Sequence, residues 1–250
     1  MTKIAVSGAT GRLGQPLVEI LDAGGHEVVP IARSKGVNVI SGEGLADALD
    51  GVDVIIEAAT GPSPDQQEAT DFFLTAARNL QEASEAAGVK RAVLVSIVGI
   101  DKFKAGYNAA KLAQEQAWKD GPIPTRIVRA TQFHEFVPQL LEWGRQGEVA
   151  YVPTMQTQVV AARTVAEVLA ELATLPDSAP ATGPTVEIAG PRAERLVELA
   201  RALVTERGES LRVEETAEFF DESDLYDSGA VLPGPDAKLA GPTFEEWLKA

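Results

Sequence analysis

Residues 3–33 read KIAVSGATGRLGQPLVEILDAGGHEVVPIAR, and the order of features in this stretch decides the fold. Ile4 to Val6 form a short apolar run of the kind buried in a sheet. A glycine turn follows, then an amphipathic segment with helical spacing, a second glycine turn at Gly24–Gly25, and a second strand from Glu27 to Ala32. That sequence of elements is a βαβ unit. Between its first strand and its helix stand Gly8, Gly11 and Gly14, in GATGRLG at 8–14. Glycine lets a backbone turn tightly and approach a pyrophosphate, whose charge is met by the free amides and positive dipole end of the following helix. A ligand-free turn also uses glycine. Here, however, strand, helix and second strand all stand where a dinucleotide-binding fingerprint requires them.

Working outward, a third strand is expected near Val37 to Ile40, a short helix around Leu45 to Leu49, and a fourth strand at Val52 to Glu57. Ala69, Phe73, Ala76, Leu80, Ala83 and Ala87 then alternate at steps of four and three, one apolar stripe on a helix over 65–87, with Gly88 placed to end it. Arg91 to Val95 reads as a fifth strand, Tyr107 to Trp118 as a helix, and Thr125 to Val128 as a sixth strand. Strands alternating with helices imply an α/β fold, a Rossmann-type doubly wound parallel sheet that takes ligands at the carboxyl ends of its strands. Beyond residue 130 come a helix at Glu135 to Trp143, a strand around Tyr151, a helix at Thr164 to Leu175 and a loop at 177–185. A strand at Val186 to Ala189, a helix at Arg192 to Thr205, an acidic segment at 214–227 and a terminal helix close the chain. We read residues 1–250 as a single domain with a small C-terminal substrate lobe, drawn mainly from 131–163 and 209–250.

Composition narrows the function. The 22 basic and 37 acidic side chains give a net charge of −15, which repels phosphate backbones and anionic lipid, so neither nucleic acid nor a membrane surface is an expected partner. The chain has no cysteine, so disulfides, thiolate nucleophiles and sulfur-ligated metals are excluded. His26 and His134 lie far apart in the sequence, and no metal site is expected. The first 20 residues lack the layout of a secretory signal, and no apolar run approaches the roughly 20 residues that span a bilayer. A cytoplasmic protein acting on a small molecule is the expectation, with monomer and dimer both open. At the end of the second strand, where an acidic residue ordinarily holds the adenine-ribose hydroxyls, stand Arg33, Ser34 and Lys35. Two cations and a hydroxyl suit a 2′-phosphate, so the expected cofactor is NADP(H).

The chain resembles the short-chain dehydrogenase/reductase superfamily, and within it the atypical NmrA-like group of NAD(P)H-binding proteins. The resemblance rests on GATGRLG at 8–14, AAT at 58–60, Ser96 after the fifth strand, Tyr107 with Lys111, and RATQFHEF at 129–136. It implies cofactor contacts from Gly8, Thr10, Gly11, Arg12, Leu13, Gly14, Ala58, Ala59, Thr60 and Lys111. It further implies that Ser96 hydrogen-bonds a substrate carbonyl, that Tyr107 is the general acid, and that Lys111 lowers the tyrosine pKa while binding the nicotinamide ribose. The spacing is compatible with this. A free phenol titrates near ~10 and needs a cation to work near neutrality, and positions i and i+4 share one helix face. Only ten residues separate Ser96 from Tyr107, so the loop IVGIDKFKAG at 97–106 must be compact for both to meet one oxygen. The segment VISGEG at 39–44 lacks the aspartate that relatives place beside the adenine. Phe133 and His134 are candidate substrate contacts, and Phe136, Trp143, Tyr151 and Met155 could line an apolar pocket; the ordinary reading of these side chains is core packing. The group includes reductases and non-catalytic sensors. The expected function is NADP(H)-dependent hydride transfer to a small apolar carbonyl or quinone, with a non-catalytic NADP(H)-binding redox sensor as the alternative and a sugar-nucleotide epimerase a distant third.

Overall fold

The runs IAV at 4–6, VII at 54–56 and AVLV at 92–95 lack the polar alternation of a half-exposed strand, so they must be covered on both faces. The computed structural model, which describes residues 1–176 and 178–250, shows how this is done. The first half of the chain runs β1 (Lys3–Ser7), α1 (Gly14–Ala23), β2 (Glu27–Ile31), α2 (Leu45–Leu49), β3 (Val54–Glu57), α3 (Gln66–Ala87), β4 (Arg91–Ile97), α4 (Gly106–Asp120) and β5 (Thr125–Ala130). It continues with α5 (Phe136–Trp143), β6 (Arg145–Gln146), β7 (Val149–Pro153), β8 (Gln156–Thr157), α6 (Ala162–Ala173), β9 (Val186–Ala189) and β10 (Glu194–Arg195). It closes with α7 (Leu196–Glu206), β11 (Arg212–Thr216), α8 (Ser223–Asp227), β12 (Lys238–Leu239) and α9 (Phe244–Leu248).

The main sheet has seven strands in the order β12-β9-β5-β4-β3-β1-β2, every pair of them parallel. Successive side chains point to opposite faces, and the two faces carry separate cores. Ile4, Val6, Ile56, Val93 and Val128 pack with Leu17 and Leu21 of α1 and Val165 and Leu169 of α6. Ala5, Ile55, Leu94 and Ile127 pack with Leu49 of α2, Leu80 of α3 and Trp118 of α4. A third core joins α5, β7, α7, β11 and α9 through Leu140, Val152, Leu199, Leu203, Val213 and Phe244. Residues of α7 therefore share this lobe core with those from 131–163 and 209–250. Among the described residues no helix is long and apolar enough to cross a membrane.

Two expectations need correction. Residues 37–40 form a turn, not a strand, so β2 is the edge of the sheet. The alternation VNVI imitates a strand, but Asn38 competes for the backbone: its Oδ1 accepts from the Ile40 amide at 2.9 Å and its carbonyl accepts from the Gly42 amide at 2.9 Å, closing the chain on itself. Asn79 of α3 then fastens the turn by donating to the Val39 and Ile40 carbonyls. The helix expected from Arg192 begins at Leu196, because Glu194 and Arg195 pair with β8. Of the loop expected at 177–185, residue 177 lies outside the described residues and 178–185 contains neither helix nor strand. The 65–87 helix has its expected extent, opened by the Asp65 side chain accepting from the Glu68 amide and closed by Gly88 at φ +74°.

At the carboxyl edge the glycine loop packs backbone against backbone. A Cβ on Gly14 would lie 2.1 Å from the Gly8 carbonyl oxygen, and one on Gly8, which has φ +77°, would lie 2.8 Å from the Ala58 carbonyl. A Cβ on Gly11 would meet nothing closer than the Gly8 oxygen at 3.2 Å. Gly14→Ala is therefore expected to destabilise the fold by about 1–3 kcal/mol, and Gly11→Ala by well under half as much, as read from urea midpoints of the two variants.

Candidate active site

The loops after β1, β2, β3 and β4 meet at the carboxyl edge, beside the point where the chain reverses direction across the sheet between β1 and β3. The Gly8 amide donates to the Ile31 carbonyl at 3.0 Å and the Gly11 amide to the Gly8 carbonyl at 2.9 Å, which fixes the loop against the end of β2. Helix α1 then starts at Gly14 with no side-chain cap and no acidic residue in its first turn. The Gln15 amide donates to the Gly11 carbonyl at 3.0 Å and Pro16 has no N–H, but no side-chain charge opposes the helix dipole, and the contacts at Gly8 and Gly14 leave no space for side chains: the cradle fits a pyrophosphate. Thr10, Gly11 and Arg12 are exposed and Leu13 is buried. The Arg12 guanidinium reaches across to the lobe, donating to the Glu135 carbonyl at 3.3 Å and to Gln139. Arg33, Ser34 and Lys35 form an exposed single turn of 3-10 helix directly after β2. Among the described residues, none of their side chains is held in a hydrogen bond or ion pair, so two cations and a hydroxyl stand free beside the cradle.

Helix α4 carries the tyrosine and lysine on the face toward the sheet. Tyr107 is half-buried, with its ring edge-on to Phe73 at 5.6 Å, and its hydroxyl is 2.8 Å from the Thr60 hydroxyl at the end of the AAT segment. Burial holds the Tyr107 phenol above its usual value, and the bond to Thr60 opposes that shift. One turn on, Lys111 is buried; its Nζ donates to the Val95 carbonyl at 2.9 Å and to Gln114 Oε1 at 2.6 Å and lies 4.8 Å from the centre of the Phe73 ring. Burial pulls its pKa down to about 8 against the attraction of Glu57 and Glu115. The structure thus brings Thr60, Tyr107 and Lys111 together around Phe73.

Ser96 is 3 % exposed, and its register with Arg129 puts its side chain on the sheet face that α4 covers, nearer the Arg129–Glu115 pair. Its buried hydroxyl has no hydrogen-bond partner among the described residues; against the larger effect of burial it adds to Arg129 in holding the Glu115 carboxyl down. The 97–106 loop is compact, through a 3-10 turn at Ile100–Lys102 and a close approach in which a Cβ on Gly99 would fall 2.0 Å from the Ala230 oxygen. The acidic segment near residue 220 is not simply solvated. Glu222, at φ +53°, accepts from the amides of Lys104 and Ala105 at 2.8 Å each, and the Tyr226 hydroxyl accepts from Asn108 at 2.9 Å. The lobe is therefore fastened over the start of α4.

His134 is fully buried, with Nε2 3.1 Å from the Val159 carbonyl oxygen and its ring edge-on to Phe244 and Trp247. Burial lowers its pKa. Phe133 packs partly into the main core, its backbone bridged to Val160. Met155 is core, whereas Trp143 and Tyr151 line an open cleft of about 570 Å³ with Phe219.

The sequence reading missed Glu57, the last residue of β3. It is 1 % exposed, its Oε1 accepts from the Ala59 amide at 3.0 Å, and burial pushes its pKa up to about 7, opposed by Ser7, by Lys111 and by that amide. The one available signal was an acid interrupting an otherwise apolar run, DVIIEAA at 53–59.

Residues 8–176 match the model of a family described as NAD(P)H-binding. Over 105 residues the chain is 31% identical to an L-arabinose 1-dehydrogenase (NAD(P)(+)) of Haloferax volcanii, a match to 38% of this chain and 41% of that protein. The alignment thus spans well under half of that relative. Over 235 residues it is 26% identical to quinone oxidoreductase 2 of Escherichia coli K12, covering 86% of this chain and 78% of the relative. The crystal structure of an NADPH-dependent quinone oxidoreductase from Escherichia coli superposes with a TM-score of 0.65 at 18% identity, covering 98% of each chain. At that identity the superposition shows a common fold.

Glu57 has a consequence for stability. Its folded pKa of about 7 lies above the ordinary value of 4.5, so between those values the folded chain holds a proton that the unfolded chain has released. The stability this group contributes is full below pH 4.5 and is lost as pH rises through about 7. Relative to wild type, Glu57→Gln is expected to gain on the order of 2 kcal/mol between pH 5 and pH 8, measured as the difference of urea-unfolding free energies at the two pH values.

Proposed function

The chain belongs to the NAD(P)H-binding family, and from that premise we propose that it is an NADP(H)-dependent oxidoreductase that delivers hydride to a small apolar carbonyl or quinone. One observation carries the reading: the Tyr107 hydroxyl stands at the carboxyl edge of the sheet, bonded to Thr60 at 2.8 Å, with the buried Lys111 ammonium one turn behind it. This is the arrangement that the resemblance to short-chain dehydrogenases and reductases assigns to a proton donor and its cation. The similarity to quinone oxidoreductase 2 over 86% of the chain supports the substrate class.

Bound NADPH supplies the hydride. The rest of the reaction falls to the chain. Gly8, Thr10, Gly11, Arg12, Leu13 and Gly14 hold the pyrophosphate at the start of α1, Ala58, Ala59 and Thr60 flank it, and Arg33, Ser34 and Lys35 take the 2′-phosphate. Tyr107 gives its phenolic proton to the substrate oxygen as negative charge grows there, a transfer typically worth roughly two to four powers of ten in rate. Lys111 stabilises the phenolate left behind, and Thr60 orients the hydroxyl. The fully buried Phe73 ring backs Tyr107 edge-on and packs in turn against the partly buried Phe72, so the donor stands on an apolar base. Ser96, on the sheet face near Glu115, adds to Arg129 in favouring that carboxylate's charged form.

Arg33→Ala is expected to raise Kd for NADPH at least tenfold while leaving NADH within about twofold, the loss of one charged phosphate contact being worth about 1.5–3 kcal/mol. Isothermal titration with both cofactors checks this, and equal losses reject NADP selectivity. Tyr107→Phe is expected to lower kcat with a panel of quinones and aldehydes at least about 100-fold with unchanged NADPH binding. Undiminished turnover removes Tyr107 as the acid, and a wild-type protein that binds NADPH but turns over no carbonyl points to the sensor.

A further inference from the structure

Between α4 and the sheet lies a row of charges of alternating sign: Glu57 on β3, Lys111 and Glu115 on α4, Arg129 on β5 and Asp101 beyond it. Their partners are unequal. Glu115 is committed to Arg129 in a two-point bond at 2.9 and 3.0 Å, and to Lys119 at 3.2 Å; Arg129 also pairs with Asp101. At the other end, Lys111 spends its bonds on neutral acceptors, the Val95 carbonyl and Gln114. Glu57 Oε1 takes the neutral Ala59 amide, and its buried Oε2 has no hydrogen-bond partner among the described residues. Ser7, directly opposite Glu57 in the β1–β3 register, turns a buried hydroxyl that favours the charged carboxylate but stands outside hydrogen-bond geometry. A carboxylate and an ammonium, each sealed from water and hydrogen-bonded only to neutral groups, support each other's charge, with Glu115 adding to the field on the lysine.

We propose that Glu57 is a positioning residue of the active site, whose buried carboxylate keeps Lys111 in its charged form behind Tyr107. This rests on the reading of Tyr107 as proton donor and Lys111 as its cation. The groups that bear on Lys111 are Glu57 from β3, Glu115 and Tyr107 from its own helix, the Val95 carbonyl from β4 and the Phe73 ring from α3. Of the two carboxylates, Glu57 is the one not already neutralised by an arginine. Burial draws Lys111 down to about 8 and lifts Glu57 to about 7, so both change charge within the working range of an enzyme. When Glu57 is ionised it opposes loss of the lysine proton. With an amide in its place, Lys111 sheds that proton at lower pH, and Tyr107 loses its cation.

Two measurements test this on the full-length protein. In the first, NMR of protein labelled with ¹³C in its lysine side chains, with Lys111→Arg used for assignment, follows the Lys111 titration without cofactor or turnover. Glu57→Gln is expected to move that transition about one pH unit toward acid, and Glu57→Asp to move it less; coincident transitions in wild type and Glu57→Gln overturn the proposal. In the second, kcat/KM for NADPH-dependent reduction of a quinone is followed from pH 6 to pH 9. Glu57→Gln is expected to approach wild type at pH 6, where Glu57 is largely protonated, and to fall about tenfold behind at pH 9. A deficit equal at every pH is the mark of a merely structural residue and overturns it. If Lys111 shifts as expected but Tyr107→Phe retains full turnover, the electrostatic link stands and the assignment of Tyr107 falls.

Discussion

The whole carboxyl edge depends on one steric constraint: at the turn from β1 into α1 the backbone must touch backbone. With hydrogen atoms at Gly8 and Gly14, the start of α1 can press on the Gly8 carbonyl while Gly8 presses on Ala58 and Ala59. The first contact aims the helix dipole out of the sheet edge; the second sets the height of the 58–60 segment. Thr60 follows from that height, and through Thr60 so does the hydroxyl of Tyr107. A contact between two turns thus locates a side chain more than 40 residues further on.

Behind the tyrosine the fold carries a cost. Burying an ammonium and carboxylates between a helix and a sheet forfeits hydration that mutual attraction seldom fully restores. Arg129 and Glu115 meet this cost with a planar two-point bond, the geometry in which desolvated charges are best matched. Lys111 and Glu57 do not. Their region of the interface is less stable than an apolar filling of the same volume would make it, and such local strain is characteristic of sites kept for chemistry and not for packing.

The sheet and its long helices were legible because their signals are local. GATGRLG between an apolar run and an amphipathic segment, and the stripe from Ala69 to Leu80, each reflect a periodicity that tertiary contacts reinforce. The 37–40 segment misled because VNVI alternates like a strand while its asparagine bonds its own backbone, a competition that hydropathy does not register. In the site, the tyrosine–lysine pair could be read from its place on the helix after an apolar strand. The direction in which Ser96 points could not, since that depends on its register with Arg129. Glu57 was invisible for a related reason: a lone acid at a strand end looks like the start of a solvated loop until β1 and β4 are laid on either side of it. His134 stands among aromatic residues in sequence, but whether it faces a pocket or the core is decided by α9, about 110 residues further on.

The hold that Glu222 takes on the amides of Lys104 and Ala105 ties the two ends of the molecule's history together. The segment that packs into the lobe also holds the backbone just ahead of α4, the helix bearing Tyr107, so the lobe is not a freely exchangeable module. Sequence change is channelled into stretches that do not touch that junction, such as the exposed turns around Gly147 and Gly208. Insertions close to residue 222 alter the placement of α4, and of Tyr107 and Lys111 with it, along with the packing of the lobe, so in this architecture the two are inherited together.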